Sequence, residues 1–185
     1  MSEPRSEVRV RVAGPADATA IARVQVAAWR ERYADLLPAD LVDAMDADAF
    51  AARWEQSLHR PGDARNRVLV ALDGDDVRGF AVTGPATDPD ADPIGDGEIA
   101  ELVVEPSHRR RGHGSRLLQA AVETLRSDRF TRGILWLAGA DDDARRFVAD
   151  AGWAPDGAHR ELDLRGDGAV RVKQVRLHTA LDDPD

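Results

Sequence analysis

The chain has 185 residues, 34 of them acidic and 25 basic, for a formal charge of −9, and it contains no cysteine. That length suits one domain with a sizeable core, needing neither metal nor disulfides to fold. The missing cysteine excludes a thiolate nucleophile, a cysteine-based zinc or iron–sulfur site and a disulfide framework. Charged residues at 32% and hydrophobic residues at 43% describe a folded domain and not a disordered chain. No apolar run approaches the ~18 residues of a membrane helix. The N-terminus lacks the apolar centre of an export signal, so a cytoplasmic location is expected. The net acidity disfavours nucleic acid as a partner and favours a cationic substrate.

Alternation over Val8–Val12 predicts a first strand, broken by Gly14-Pro15-Ala16-Asp17, where Asp17 offers a helix-start acid. Ile21, Val24, Ala28 and Trp29 recur at helical spacing and predict a long amphipathic helix over Ala18–Tyr33. A second helical region covers Ala39–His59, with a break near Asp46. Arg67–Leu72 and Val77–Thr83 are strand-like runs joined through Asp73-Gly74-Asp75-Asp76, a hairpin signal. Gly84–Gly97, rich in proline and aspartate, is expected to be an exposed, mobile loop. A strand follows over Glu98–Val104, then a helix over Gly112–Ser127, a buried strand over Gly133–Ala138 and a short helix over Asp141–Ala151. Two strands, about Arg160–Leu164 and Val170–His178, flank Gly166-Asp167-Gly168. This order predicts a single α/β (α+β) domain: a mixed, mostly antiparallel central sheet with helices on both faces. One parallel pair is expected within Glu98–Ala138, joined by a right-handed crossover.

The chemistry concentrates in Val104-Glu-Pro-Ser-His-Arg-Arg-Arg-Gly-His-Gly-Ser-Arg-Leu-Leu118. A strand ends at a proline, a basic loop with two glycines follows, and a helix begins. Gly112 and Gly114 allow close backbone approach and torsions closed to other residues. Helix-start N–H groups and the helix dipole attract anions, and Arg109, Arg110, Arg111 and Arg116 add positive charge. The predicted ligand is a phosphate or pyrophosphate. A Rossmann loop would need three glycines after the first strand, and a P-loop a lysine that this segment lacks.

The segment resembles the acyl-CoA-binding motif of the GNAT superfamily of N-acetyltransferases, here filled by Arg109, Gly112 and Gly114 after Val104-x-Pro106. The resemblance runs over about residues 8–178 and includes the helix with Trp29 and Tyr33 and the Gly152-Trp153 pair. It implies acetyl-CoA as cosubstrate, with no metal. The amides of Arg110, Arg111, Gly112, His113, Gly114 and Ser115 would carry its pyrophosphate, with Arg116 beside them. The pantetheine arm would lie along Leu102, Val103 and Val104, and a backbone N–H near Val103 would polarise the thioester carbonyl. The acceptor implied is a primary amine on a small molecule or peptide, attacking directly in a ternary complex, with Trp29 and Tyr33 near the acceptor. Neither nucleic acid nor membrane is expected as a partner, and dimers are common in the family.

A protonated amine must first lose a proton. Glu98 and Glu101 are the candidate bases. Three residues apart, they face opposite sides of a regular strand unless a bulge alters the parity. Many family members carry a tyrosine after the phenylalanine of the short helix, as thiolate acid. Here Val148 follows Phe147, and Asp141 stands where the pattern has an asparagine. Tyr33, the chain's one tyrosine, is the substitute candidate. An alternative reading is a non-catalytic acyl-CoA-binding module of the same fold. The charge is also unevenly spread: residues 79–107 hold seven acids and no lysine or arginine, whereas residues 108–116 hold four arginines and no acid.

Overall fold

Apolar side chains at Ile21, Val24 and Ala28 fall on one stripe of α1 (Ala18–Tyr33), and all three are buried. They pack on Val70 and Leu72 of β2 (Arg67–Asp73), Val77 and Phe80 of β3 (Asp76–Pro85), and Val103 of β4 (Asp96–Val104). The computed structural model describes residues 7–181. The chain's contacts group into two units. The first holds residues up to Thr83 with Glu101–Glu123, and the second holds Gly84–Ala100 with Thr124 onward.

In the first unit, β1 (Arg9–Val12) pairs antiparallel with β2, and β2 with β3 through the hairpin at Gly74, whose φ is +61°. A 3-10 turn at Pro15–Asp17 leads into α1, and Asp17 accepts from the Gly14 N–H and binds Arg11. The predicted second helical region divides as expected, into α2 (Ala39–Asp43) and α3 (Ala47–His59). Asp46 caps α3 by accepting from the Asp48 N–H at 3.0 Å. Trp54 of α3 meets Phe80 edge-to-face, with centroids 5.3 Å apart, and its Nε1 donates to Gln25 at 2.7 Å. A methyl on Gly79 would lie 2.8 Å from the Val103 carbonyl oxygen and 3.0 Å from a Leu117 methyl. Only glycine lets β3 approach β4 and α4 (His113–Ser127) this closely.

In the second unit, the start of β4 pairs parallel with β5 (Arg132–Ala138), from Asp96↔Arg132 to Ile99↔Leu135. β5 pairs antiparallel with β7 (Arg171–Ala180), and β7 with β6 (Ala154–Asp163). α5 (Asp142–Asp150) is capped by Asp141, which accepts from the Ala144 N–H at 3.0 Å. Ile99, Leu125, Phe130, Ile134, Val148, Trp153 and Leu177 are buried in this unit. The strands form one mixed, mostly antiparallel seven-stranded sheet in the order β1-β2-β3-β4-β5-β7-β6.

Two expectations change. The segment expected to be an exposed loop over Gly84–Gly97 is shorter, because β3 continues to Pro85 and β4 begins at Asp96. It is also anchored, with the Asp88 side chain only 8% exposed and paired with Arg176. β6 starts at Ala154, six residues before the predicted Arg160. Pro155, Asp156 and Gly157 read as turn residues, but they form an irregularity within a continuing strand, with Gly157 at φ +90°.

Phe80 is fully buried. Phe80→Ala is expected to cost about 3–5 kcal/mol, measured as a lower urea midpoint. A loss below about 1 kcal/mol would remove it from the centre of the first unit's core.

Candidate active site

The loop after β4 is built around one carboxylate. Glu105 accepts from Arg23 of α1 at 2.6 Å and from Arg78 of β3 at 2.9 Å, and its Oε2 lies 3.1 Å from His108 Nδ1. Its backbone N–H donates to the Arg78 carbonyl at 2.7 Å. Burial pushes the Glu105 carboxyl up, but Arg78, Arg23 and His108 outweigh this and hold it below the usual range. Pro106–His108 then forms a 3-10 turn. Arg110 adopts φ +63° and Gly112 φ +94° before α4 begins. The first ladder bond runs from the Arg116 N–H to the Gly112 carbonyl at 3.1 Å. The N–H groups of His113, Gly114 and Ser115 precede it and have no acceptor within the helix. Gly114 lies inside the first helical turn and is not among the positive-φ glycines, so only Gly112 needs glycine's torsional freedom.

Arg110, Arg111 and Arg116 are exposed. Arg111, Gly112, Ser115, Arg116 and Gln119 line an open groove of about 650 Å³ with Glu7 and Val8. Backbone donors, dipole and guanidinium groups of this kind match a polyanionic phosphate. Arg109 differs from its three neighbours, because its guanidinium pairs with Glu31 of α1. His113 is 2% exposed, so it offers a ligand a backbone N–H at most. Burial, chiefly, pulls its imidazole pKa down, opposed by the His108 carbonyl 3.3 Å from Nδ1. A neutral ring with the proton on Nδ1 satisfies that contact.

The Val103 side chain belongs to the core, and its carbonyl faces Gly79 of β3. The Glu105 N–H also points to β3. Backbone direction alternates along a strand, so the polar groups of Leu102 and Val104 face away from β3 while those of Val103 face it. The amide available to a pantetheine arm or thioester is therefore that of Leu102 or Val104.

The remaining candidates divide between the units. In the first, Trp29 meets Tyr33 edge-to-face at 5.9 Å and Phe50 at 5.5 Å. The buried Trp29 Nε1 has no hydrogen-bond partner among the described residues. Glu101 is half-buried. Burial pushes its carboxyl up, opposed by the charge of Arg32 on α1. In the second unit, Glu98 is 8% exposed. Its Oε2 accepts from the Thr87 N–H at 3.4 Å and the Thr87 hydroxyl at 3.3 Å. Burial is the main cause raising the Glu98 carboxyl; Thr87 and Arg160 pull it down and Asp88 pushes it up. Asp96, Gly97, Glu98 and Ile99 are all buried, as in a strand covered on both faces. Val148 is 2% exposed in the core. Glu31, Arg32, Thr87 and Glu105 were not singled out in the sequence, because nothing in their spacing marks them. Among the described residues, no group of three or more histidine or acidic side chains is placed to hold a metal, and no helix is long and apolar enough to cross a membrane.

A parallel β4–β5 pair, with a loop of exposed arginines leading from β4 into α4, is the arrangement that solved N-acetyltransferases share in their fold. One from Staphylococcus aureus Mu50 superposes with a TM-score of 0.69 over 96% of this chain and 100% of that one, at 15% identity. The yncA protein of Salmonella typhimurium, solved with its cofactor acetyl-CoA, gives 0.67 over 96% and 95%, at 18% identity. The description of the acetyltransferase (GNAT) family matches residues 26–153. The chain belongs to that family. The mycothiol acetyltransferase of Mycolicibacterium vanbaalenii is 38% identical over 133 residues, 72% of this chain and 38% of that protein. YuaI, an uncharacterized N-acetyltransferase of Bacillus subtilis, is 29% identical over 92% of this chain and 91% of its own length. The chain therefore spans less than half the length of the mycothiol acetyltransferases it matches.

Two outcomes follow from this geometry. A methyl on Gly112 meets open space, but φ is +94°, so Gly112→Ala is expected to lower stability by about 1–2 kcal/mol through torsion alone, read as a urea midpoint. Glu101 has a folded pKa above its unfolded value of 4.5, so its ionisation opposes folding at neutral pH. Glu101→Gln should raise Tm at pH 7, and the gain should shrink as pH falls through the folded value and vanish below the unfolded one. A pH-independent difference would contradict this.

Proposed function

We propose that this chain is an N-acetyltransferase domain moving an acetyl group from acetyl-CoA to a primary amine in a ternary complex. The loop Arg109–Arg116 at the start of α4 carries the reading, because its backbone donors and exposed arginines fit the pyrophosphate of CoA. The Leu102 or Val104 amide polarises the thioester carbonyl. The amine nitrogen forms the new bond to the carbonyl carbon, the carbon–sulfur bond breaks and the thiolate leaves. Glu98 takes the amine proton, directly or through water. Its raised pKa makes it a stronger base than an ordinary carboxylate while leaving it largely ionised when its pKa stays below the working pH. Glu101 is the second candidate base. Trp29 and Tyr33 form part of the acceptor wall, and with Val148 buried the thiolate departs unprotonated or takes its proton from Tyr33 or water.

The mycothiol acetyltransferases among the relatives put small-molecule amines first as acceptors, with peptide amines second. Val148 in the core favours one other reading, a module that binds acyl-CoA without catalysis. A thiol-release screen of acetyl-CoA against a broad amine panel separates the two. Release with at least one amine supports transfer, and calorimetric acetyl-CoA binding without any release supports the module. With an accepted amine, Glu98→Gln is expected to lower kcat about 10²–10⁴-fold with little change in acetyl-CoA affinity. Unchanged kcat would move the base to Glu101.

A further inference from the structure

Arg176 of β7 is 6% exposed and is surrounded by carboxylates. Its Nε donates to Asp156 at 2.7 Å, and its two terminal nitrogens grip Asp90 at 2.8 Å each. One of these nitrogens also donates to Asp88 at 3.1 Å. Asp88, with its side chain 8% exposed, accepts in addition from Trp136 Nε1 at 3.0 Å and from Arg160 at 3.5 Å. Arg160 lies over the Trp136 ring, 4.2 Å from its centroid. Buried ionic clusters are costly to desolvate and are weak sources of stability, so a cluster this dense calls for a positional explanation. Its acids Asp88 and Asp90 lie on the β3–β4 connection, immediately after Thr87. Thr87 in turn directs both its N–H and its hydroxyl at one oxygen of Glu98.

We propose that Arg176 is a positioning residue: by gripping Asp88 and Asp90 it holds Thr87 in place as a double donor to the Glu98 carboxylate. The charged groups acting on Glu98 are Asp88 from the same connection and Arg160 from β6. Asp88 thus has two opposed effects, repelling the Glu98 charge directly and anchoring the donor that stabilises it. The inference rests on Glu98 being the base proposed above.

The test is a carboxyl-carbon NMR titration of the full chain, with Glu98 assigned through Glu98→Gln, together with amide exchange at Thr87. Thr87→Val removes only the hydroxyl donor and should raise the Glu98 midpoint by about half a pH unit. Arg176→Gln should speed exchange of the Thr87 amide about tenfold or more. If that variant does not fold, Asp90→Asn, which neutralises a side chain that is 64% exposed, should give the same change in smaller degree. An unmoved Glu98 midpoint in Thr87→Val, or unchanged Thr87 exchange in a folded Arg176→Gln or in Asp90→Asn, would overturn the proposal. With an amine accepted in the panel, Asp90→Asn should lower kcat and leave KM for acetyl-CoA unchanged; the reverse split would also overturn it. Titration and exchange need no acceptor, so a silent amine panel would count against the transferase reading while these two readouts still decide the positioning role.

Discussion

The loop that gives the first unit its chemistry depends on the Glu105 carboxylate. Helix-start amides bind an anion only if the preceding turn is fixed, and a loop with several like charges tends to fly apart. Glu105 is a compact internal counter-charge. It joins α1 through Arg23, β3 through Arg78 and the 3-10 turn through His108. Its backbone bond to Arg78 sets the register at the point where strand becomes loop. From there, the positive φ values at Arg110 and Gly112 and the start of α4 follow in sequence. Arg109 adds a second tie to α1 through Glu31, so the motif's first arginine holds the loop to α1 and the other three face outward.

The division of charge noted in the sequence takes different forms in the two units. The acids of residues 88–96 do not form an open negative surface, because Arg176, Arg160 and Arg132 neutralise much of their charge. Glu98 in one unit and Glu101 in the other differ from these, each held above its ordinary range mainly by burial. Burial costs stability at neutral pH and makes each a better proton acceptor, the trade expected where a group is kept for chemistry.

Much of the fold could be read from sequence because it is local. The stripe Ile21, Val24, Ala28 and the Asp73-Gly74 turn each specify their own element through spacing or torsion. The start of β6 was not legible, since proline, aspartate and glycine carry the same local signal in a turn and in a strand irregularity. Its pairing with β7 makes the difference. The turn that leads into α4 was legible down to the torsion of Gly112 for the same reason, being one continuous segment. The surroundings of Glu98 were not, because Thr87 and Arg176 lie 11 residues before and 78 residues after it and meet only through tertiary contacts. His113 and Val103 sit inside the motif yet bury their side chains, and only the fold distinguishes a ligand's backbone from its scaffold.

Gly79 and Gly112 both resist replacement by ordinary residues, but for unlike reasons. At Gly79 the obstacle is volume, since a β-carbon needs room that the Val103 carbonyl and Leu117 do not leave. At Gly112 the space is open and the obstacle is handedness. A mirror-image alanine introduced by chemical synthesis is at home at positive φ, so the torsional cost that an ordinary alanine meets at Gly112 would be absent, and the smaller number of unfolded conformations would favour the fold. The two glycines thus separate, within one unit, a constraint of space from a constraint of handedness.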